Sequence, residues 1–245
     1  LDKPTSGLLV VAKTAGATAD LSRQFAERVV RKTYVALCNG VPSTEKDAAP
    51  SVSAALDPGV RIDVREEEII VGGKQTPWRL IDRALDNKSA VTAWRTRGYF
   101  ECPEATNNTL TLVELRPKTG RYHQLRRHMA RAANSPLVGD YVYDGGGAEA
   151  LSLRRHGIFL CSSGISLEHP FYNTDVGREE WDDNTAGPDC THQHDKAEQM
   201  SLLFRDEATD RIMVHANISL PEEFRSFLDS MKEKQTSNLK ITNMV

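Results

Sequence analysis

The chain has 245 residues, 27% of them charged and 39% hydrophobic, with a formal net charge of −3. That balance suits a folded globular chain and excludes a polycationic nucleic-acid coat. No run approaches the ~20 apolar residues that a membrane helix needs. The four cysteines, Cys38, Cys102, Cys161 and Cys190, lie far apart without a CxxC pair and argue for free thiols in a reducing, intracellular compartment.

In chain order, the apolar run Leu8–Ala12 predicts a strand. Leu21, Phe25 and Val29 recur every fourth residue and predict a helix over Ala15–Val30. Lys32–Cys38 predicts a strand that ends at the turn Asn39-Gly40. Glu66–Val71 and Lys88–Arg95 are further strand candidates, and Leu110–Leu115 alternates apolar and polar residues cleanly. Tyr122–Ala133 predicts a helix, Ile158–Leu167 and Ile212–Ile218 strands, and Pro221–Lys232 a helix with proline at its start. Strands in runs with few helices between them predict an α+β fold with a mixed or antiparallel sheet. Two polar stretches, about 42–58 and 173–209, are expected as surface insertions in one domain over 1–232, followed by a tail over 233–245. No internal repeat is present.

The charge is unevenly placed. From Leu115 to Gly139 there is no Asp or Glu, while Arg116, Lys118, Arg121, Arg126, Arg127 and Arg131 all fall there, with His123 and His128 between them. A basic segment on a mildly acidic chain suits a focused anion site; a solvated helix face is the plainer explanation. Within it, Lys118-Thr119-Gly120-Arg121-Tyr122-His123-Gln124-Leu125-Arg126-Arg127 places a turn at the start of a basic helix. Free backbone N–H groups and charged side chains bind anions at such a place. Leu125 and Met129 are spaced to face a core, and one of the cations is expected to neutralise a buried carboxylate.

Five stretches in this order, LDKPTSGLLVVAKT, RKTYVAL, KTGRYHQLRRHMA, SPLVGDYVYDG and SLEHP, resemble the RluA-type pseudouridine synthases, and the Arg126-Arg127-His128-Met129 form is similar to the TruC branch that modifies tRNA. The resemblance runs from Leu1 to about Leu228. It implies the catalytic fold of that family, a central mixed, largely antiparallel sheet flanked by helices. It implies isomerisation of uridine in tRNA or rRNA without a cofactor, with RNA as the partner, no membrane association, and a monomer. It also implies that the sequence begins inside the family's aspartate motif, whose preceding His-Arg and strands are absent. The family's Leu-His-Ala strand reads Leu160-Cys161-Ser162 here.

Carried over by position, the resemblance makes Asp2 the catalytic aspartate, Tyr34 the ring that stacks on the target base, and Arg126 the cation that pairs with the aspartate. Leu125 is the apolar residue beside the base. Lys118, Arg121, His123, Gln124 and Arg127 are expected to face the pocket or the RNA. Lys88, Ala90 and Thr92 match a Lys-x-Ala-x-Thr strand, and Gly139, Asp140 and Tyr143 match Gly-Asp-x-x-Tyr. Each has a plainer role: Asp2 as a turn residue, Tyr34 as core, the cations as surface charge. Two other activities are weighed. A non-catalytic RNA-binding or chaperone protein would use the same scaffold. A glycosidase-like hydrolase would need two carboxylates flanking the bond, and only Asp140 offers itself as the second. Cys190, His192 and His194 lack a clear fourth ligand, so no metal is expected.

Overall fold

The computed structural model describes residues 1–43, 77–146, 153–185 and 199–242. The expected strand Glu66–Val71, most of the 42–58 stretch, and Cys190, His192 and His194 lie outside them. The chain divides into two compact units. The first comprises Leu1–Gly7, Tyr34–Cys161 and Leu220–Val245, and the second Leu8–Thr33 and Ser162–Ser219. The strands are β1 (Ser6–Gly7), β2 (Arg31–Asn39), β3 (Arg79–Asp82), β4 (Val91–Glu101), β5 (Thr109–Pro117), β6 (Leu160–Glu168), β7 (Gln199–Asp206) and β8 (Arg211–Ile218). The α-helices are α1 (Ala15–Ala26), α2 (Gln124–Arg131), α3 (Asp175–Thr185) and α4 (Glu222–Thr242). The strand pairings described within each unit are antiparallel.

In the first unit the strands follow the order β3-β4-β5-β2. The β3–β4 hairpin turns through Asp86 and Asn87, both with positive φ (52° and 57°), between the bridged residues Leu85 and Lys88. A two-residue turn with positive φ at both centres matches the twist of the strands it joins. Lys88 therefore sits on the turn, and the strand begins at Val91. Across β4, β5 and β2, Trp94 pairs with Leu115 and Leu115 with Tyr34. Paired residues share a face of the sheet. Leu125, Met129 and Ala133 pack with Trp94, Val113, Leu115, Ala36 and Cys38, and Tyr34 lies against this cluster. The apolar face of α2 thus fixes the helix over the strands, with its N-terminus at the end where β5 leaves the sheet. Phe224 and Phe227 of α4 meet Phe159 at ring-centroid distances of 4.9 and 4.8 Å. This helix runs to Thr242, beyond the expected stop at Lys232, because no Gly or Pro interrupts residues 233–242.

In the second unit the order is β6-β8-β7. Helix α1 starts at the N-cap Thr14, whose side chain accepts from Ala17 N. It ends at Ala26, short of the expected Val30, because Arg28 turns left-handed (φ 64°) and Val29 N donates to Gln24 O at 3.0 Å. That is the Schellman closure. Buried Gln24 imitates a strand neighbour: its amide donates to Glu168 O and accepts from Glu168 N, each at 2.9 Å. Leu8–Ala12 forms no strand beyond β1. Its alternation nevertheless holds, since Leu8, Val10 and Ala12 pack with Leu21, Val30, Ile165 and Leu167 while Leu9 and Val11 are exposed. The 173–209 stretch is largely regular where it is described. It contains α3, and β7 pairs along its whole length with β8.

Candidate active site

Asp2 sits on a turn closed by Thr5 N donating to Asp2 O at 2.9 Å. Its carboxyl is about one-third exposed, so water reaches it. The turn after β5 delivers the second part of the site. Buried Thr119 accepts from Val91 N and donates to Gln124 Oε1 at 2.7 Å. The same Oε1 accepts from Arg121 N, while Gln124 Nε2 donates to Val91 O and Thr92 Oγ1. All four hydrogen-bonding positions of this amide are spent inside the protein. Gln124, expected to face RNA, is instead the brace that ties α2 to β4. Burial explains the reassignment, because an inward amide must be satisfied internally.

His128 extends the brace. Its Nδ1 lies 2.9 Å from Thr92 Oγ1 and its Nε2 lies 3.0 Å from Arg83 O. A carbonyl only accepts, so Nε2 carries the proton and Nδ1 accepts from Thr92. Burial pushes its pKa below the ordinary value, so the ring is neutral.

His123 precedes α2 in the left-handed conformation, φ 50° and ψ 30°. Its ring makes no cap and turns toward the turn that carries Asp2. Nδ1 is 2.8 Å from the Tyr143 hydroxyl and Nε2 is 3.2 Å from Arg126 Nη1. A guanidinium can only donate, so the hydrogen-bond pattern assigns Nε2 as acceptor and Nδ1–H as donor to Tyr143. The same Nε2 lies 3.9 Å from Asp2 Oδ2. Burial, as the largest cause, pushes the Tyr143 phenol upward, so it stays protonated at neutral pH.

Arg126 is expected to pair with Asp2. Its fork instead closes on Asp140, with Nε to Oδ2 at 2.8 Å and Nη2 to Oδ1 at 2.6 Å, both side chains being buried. Bidentate closure on a desolvated carboxylate wins over a partner about one-third exposed to water on a separate turn. These hydrogen bonds hold the Arg126 guanidinium above its ordinary range, and the Asp2 charge adds to that. Arg126 therefore acts on Asp2 through its field, not through a bond. Asp140 reaches Arg126 because Gly139 (φ +77°) lets the chain pass the carbonyl of Gly157; a Cβ there would stand 1.6 Å from Gly157 O.

The remaining expected residues fall in two groups. Tyr34 is half-buried on β2 at the edge of the core, and Leu125 is buried within it. Arg127 is clamped by Asp86 of the hairpin turn, two bonds of 2.8 Å, which hold the Asp86 carboxyl below the usual range. Arg121 Nε donates to Ser89 O at 3.0 Å, and Lys118 N donates to Val91 O at 3.0 Å. The structure thus brings His123, Arg126, Asp140 and Tyr143 together beside Asp2, and turns Gln124 and Leu125 away. The bonds from Asp140 to Arg126 and from Tyr143 to His123 were not foreseen. The Gly-Asp-x-x-Tyr match was the available signal, and it gave no partner for either residue.

A sequence profile of the RNA pseudouridylate synthase family matches residues 1–131. The chain is 31% identical over 183 residues to tRNA pseudouridine synthase C of Vibrio parahaemolyticus, covering 72% of this chain and 67% of that protein. It is 33% identical over 179 residues to the protein of that name from Vibrio cholerae, covering 70% and 66%. It is 31% identical over 180 residues to ribosomal large subunit pseudouridine synthase C of Rickettsia felis, covering 73% and 50%. The chain spans about two thirds of the length of the first two relatives and half of the third.

Proposed function

The chain belongs to the RNA pseudouridylate synthase family, and from that premise we propose that it isomerises uridine to pseudouridine in structured RNA, tRNA or rRNA, with Asp2 as the catalytic aspartate. One observation carries the reading. The family match spans both the Asp2 turn and the Gly120–Arg126 segment, and the fold brings these distant stretches to 3.9 Å between Asp2 Oδ2 and His123 Nε2.

The reaction breaks the N1–C1′ bond of uridine, turns the uracil, joins C5 to C1′, gives up the C5 proton and leaves a proton on N1. Atoms and electrons balance without a redox partner. Positive character at C1′ calls for an anion or nucleophile. A partly exposed carboxylate beside a fixed guanidinium supplies either attack at the sugar or removal of a sugar proton. Arg126, locked by Asp140, keeps a fixed positive charge on the side of the site where Asp2 stands. His123, anchored by Tyr143, holds its Nε2 edge between Arg126 and Asp2. The uridine has to leave its stack to reach Asp2, and Tyr34 offers it a ring, worth ~1–3 kcal/mol by analogy with base–aromatic stacking.

In this reading the groups lie in one chain, so a monomer suffices, and its work is on RNA inside the cell. No helix among the described residues is long and apolar enough to cross a membrane. The test is to incubate unmodified tRNA and rRNA transcripts with the protein, digest them and separate the nucleosides chromatographically. A pseudouridine peak from one transcript class supports the reading and names the substrate. Its absence from both classes overturns it.

A further inference from the structure

We propose that Tyr122 is a stacking platform for an unpaired nucleobase of the RNA next to the uridine that enters the site. The inference deepens the reading above and rests on the site taking RNA.

Tyr122 lies beside the site, one residue before His123. The two rings stack with centroids 3.7 Å apart and planes 21° from parallel. The tyrosine is nevertheless 71% exposed, so with one face on the imidazole the opposite face is open to water. An aromatic ring of that size left open contributes little to folding, because it buries little apolar area.

Its position is fixed before any ligand arrives. Gln124 N donates to Arg121 O at 3.0 Å across the turn, Gln124 Oε1 holds Arg121 N, and His123 takes the left-handed conformation between them. Arg127 Nη1 touches Tyr122 O at 3.4 Å, and the Tyr143 hydroxyl holds the ring of His123. A pre-placed ring loses little entropy when a base settles on it.

The surroundings select the class of ligand. The chain has no carboxylate from Leu115 to Gly139, and exposed Arg131 and half-buried Arg121 and Lys118 lie in that stretch. Asp86, the nearby acid from the hairpin, is taken up by Arg127. An open aromatic face in a basic stretch fits a flat, uncharged ring carried on a phosphate backbone, which is how single-stranded RNA is held. Through the shared His123 ring, the base on Tyr122 sits next to the nucleotide at Asp2, so the platform contributes to the choice of sequence around the target.

The experiment measures binding of unmodified tRNA transcripts, and of an oligouridylate with a single central 2-aminopurine, to the wild type and to Tyr122→Ala, Tyr122→Leu, Tyr122→Phe and Tyr122→Trp. Stacking quenches 2-aminopurine. The platform predicts about tenfold weaker binding for Tyr122→Ala, loss of quenching in both Tyr122→Ala and Tyr122→Leu, and recovery in the Phe and Trp variants. Equal affinity and quenching in wild type and Tyr122→Ala overturns it. So does recovery by Tyr122→Leu, which would make the ring a packing support for His123, and so does failure of the wild type to bind either probe. Pseudouridine formation without any dependence on Tyr122 removes the platform alone. Binding that depends on Tyr122, with no pseudouridine formed, removes the isomerase reading alone.

Discussion

Asp140→Ala leaves Arg126 as a buried cation without its carboxylate. The two side chains are 3% and 0% exposed, and two bonds of 2.6 and 2.8 Å join them. Breaking such a pair costs about 3–5 kcal/mol, mostly because the remaining charge stays desolvated. With a urea slope of about 1–3 kcal/mol per M, the unfolding midpoint should fall by roughly 2 M. Tryptophan fluorescence is a suitable probe, since Trp94 lies in the core of the same unit. Arg126→Met combined with Asp140→Leu removes both charges and should recover most of that stability while abolishing activity, because the guanidinium beside Asp2 is gone. A shift below about 0.5 M for Asp140→Ala, or a double variant as unstable as the sum of the singles, would refute the claim that Arg126 and Asp140 form one buried unit.

Gln124→Leu should cost about 1–3 kcal/mol in urea unfolding by leaving Thr119 and the Arg121 N–H without their acceptor, yet filter binding of RNA by the folded protein should be unchanged; a loss of affinity at full folding would restore Gln124 as an RNA contact. His128 has a folded pKa below its ordinary 6.5. Its contribution is therefore present above that value and is lost as pH falls below it, so stability of the wild type should decline in mildly acid solution; a thermal-melt series against pH should flatten there in His128→Gln, and identical profiles would refute a buried neutral His128. Gly139→Ala should destabilise by about 1–3 kcal/mol from the positive φ alone, with a further loss from the clash at Gly157, and should lower activity more than a surface Gly146→Ala control does. A wild-type melting temperature in Gly139→Ala would contradict the close approach described.

Local pattern made the elements legible where one face meets the core. Leu110–Leu115 alternates, and β5 extends that run to Thr109–Pro117. Leu21 and the helix around it follow from spacing, but the helix end did not, because Arg28 adopts a left-handed turn that side-chain identity rarely signals. Strand β7 lies next to an acidic stretch and was read as surface, since only its pairing with β8 makes Gln199–Asp206 extended. In the site, Asp2 and the Gly120–Arg126 segment were legible by family resemblance. The partner of Arg126 was not, because the choice between Asp2 and Asp140 depends on desolvation and on the passage Gly139 opens, both of which arise only in the folded chain. Gln124 was misassigned for the same reason: a polar residue in a basic motif reads as a ligand contact until its amide is found braced between Thr119, Arg121, Val91 and Thr92.

The most direct test of the central claim is tritium release from tRNA and rRNA transcripts labelled at uridine C5, for the wild type beside Asp2→Asn, with RNA affinity measured on both. The C5 proton is lost when C5 joins C1′. Release by the wild type that vanishes in Asp2→Asn, with affinity kept within a few fold, is the predicted result. Release that persists in Asp2→Asn, or a collapse of RNA affinity in that variant, would contradict the assignment of Asp2 as the residue that does the chemistry.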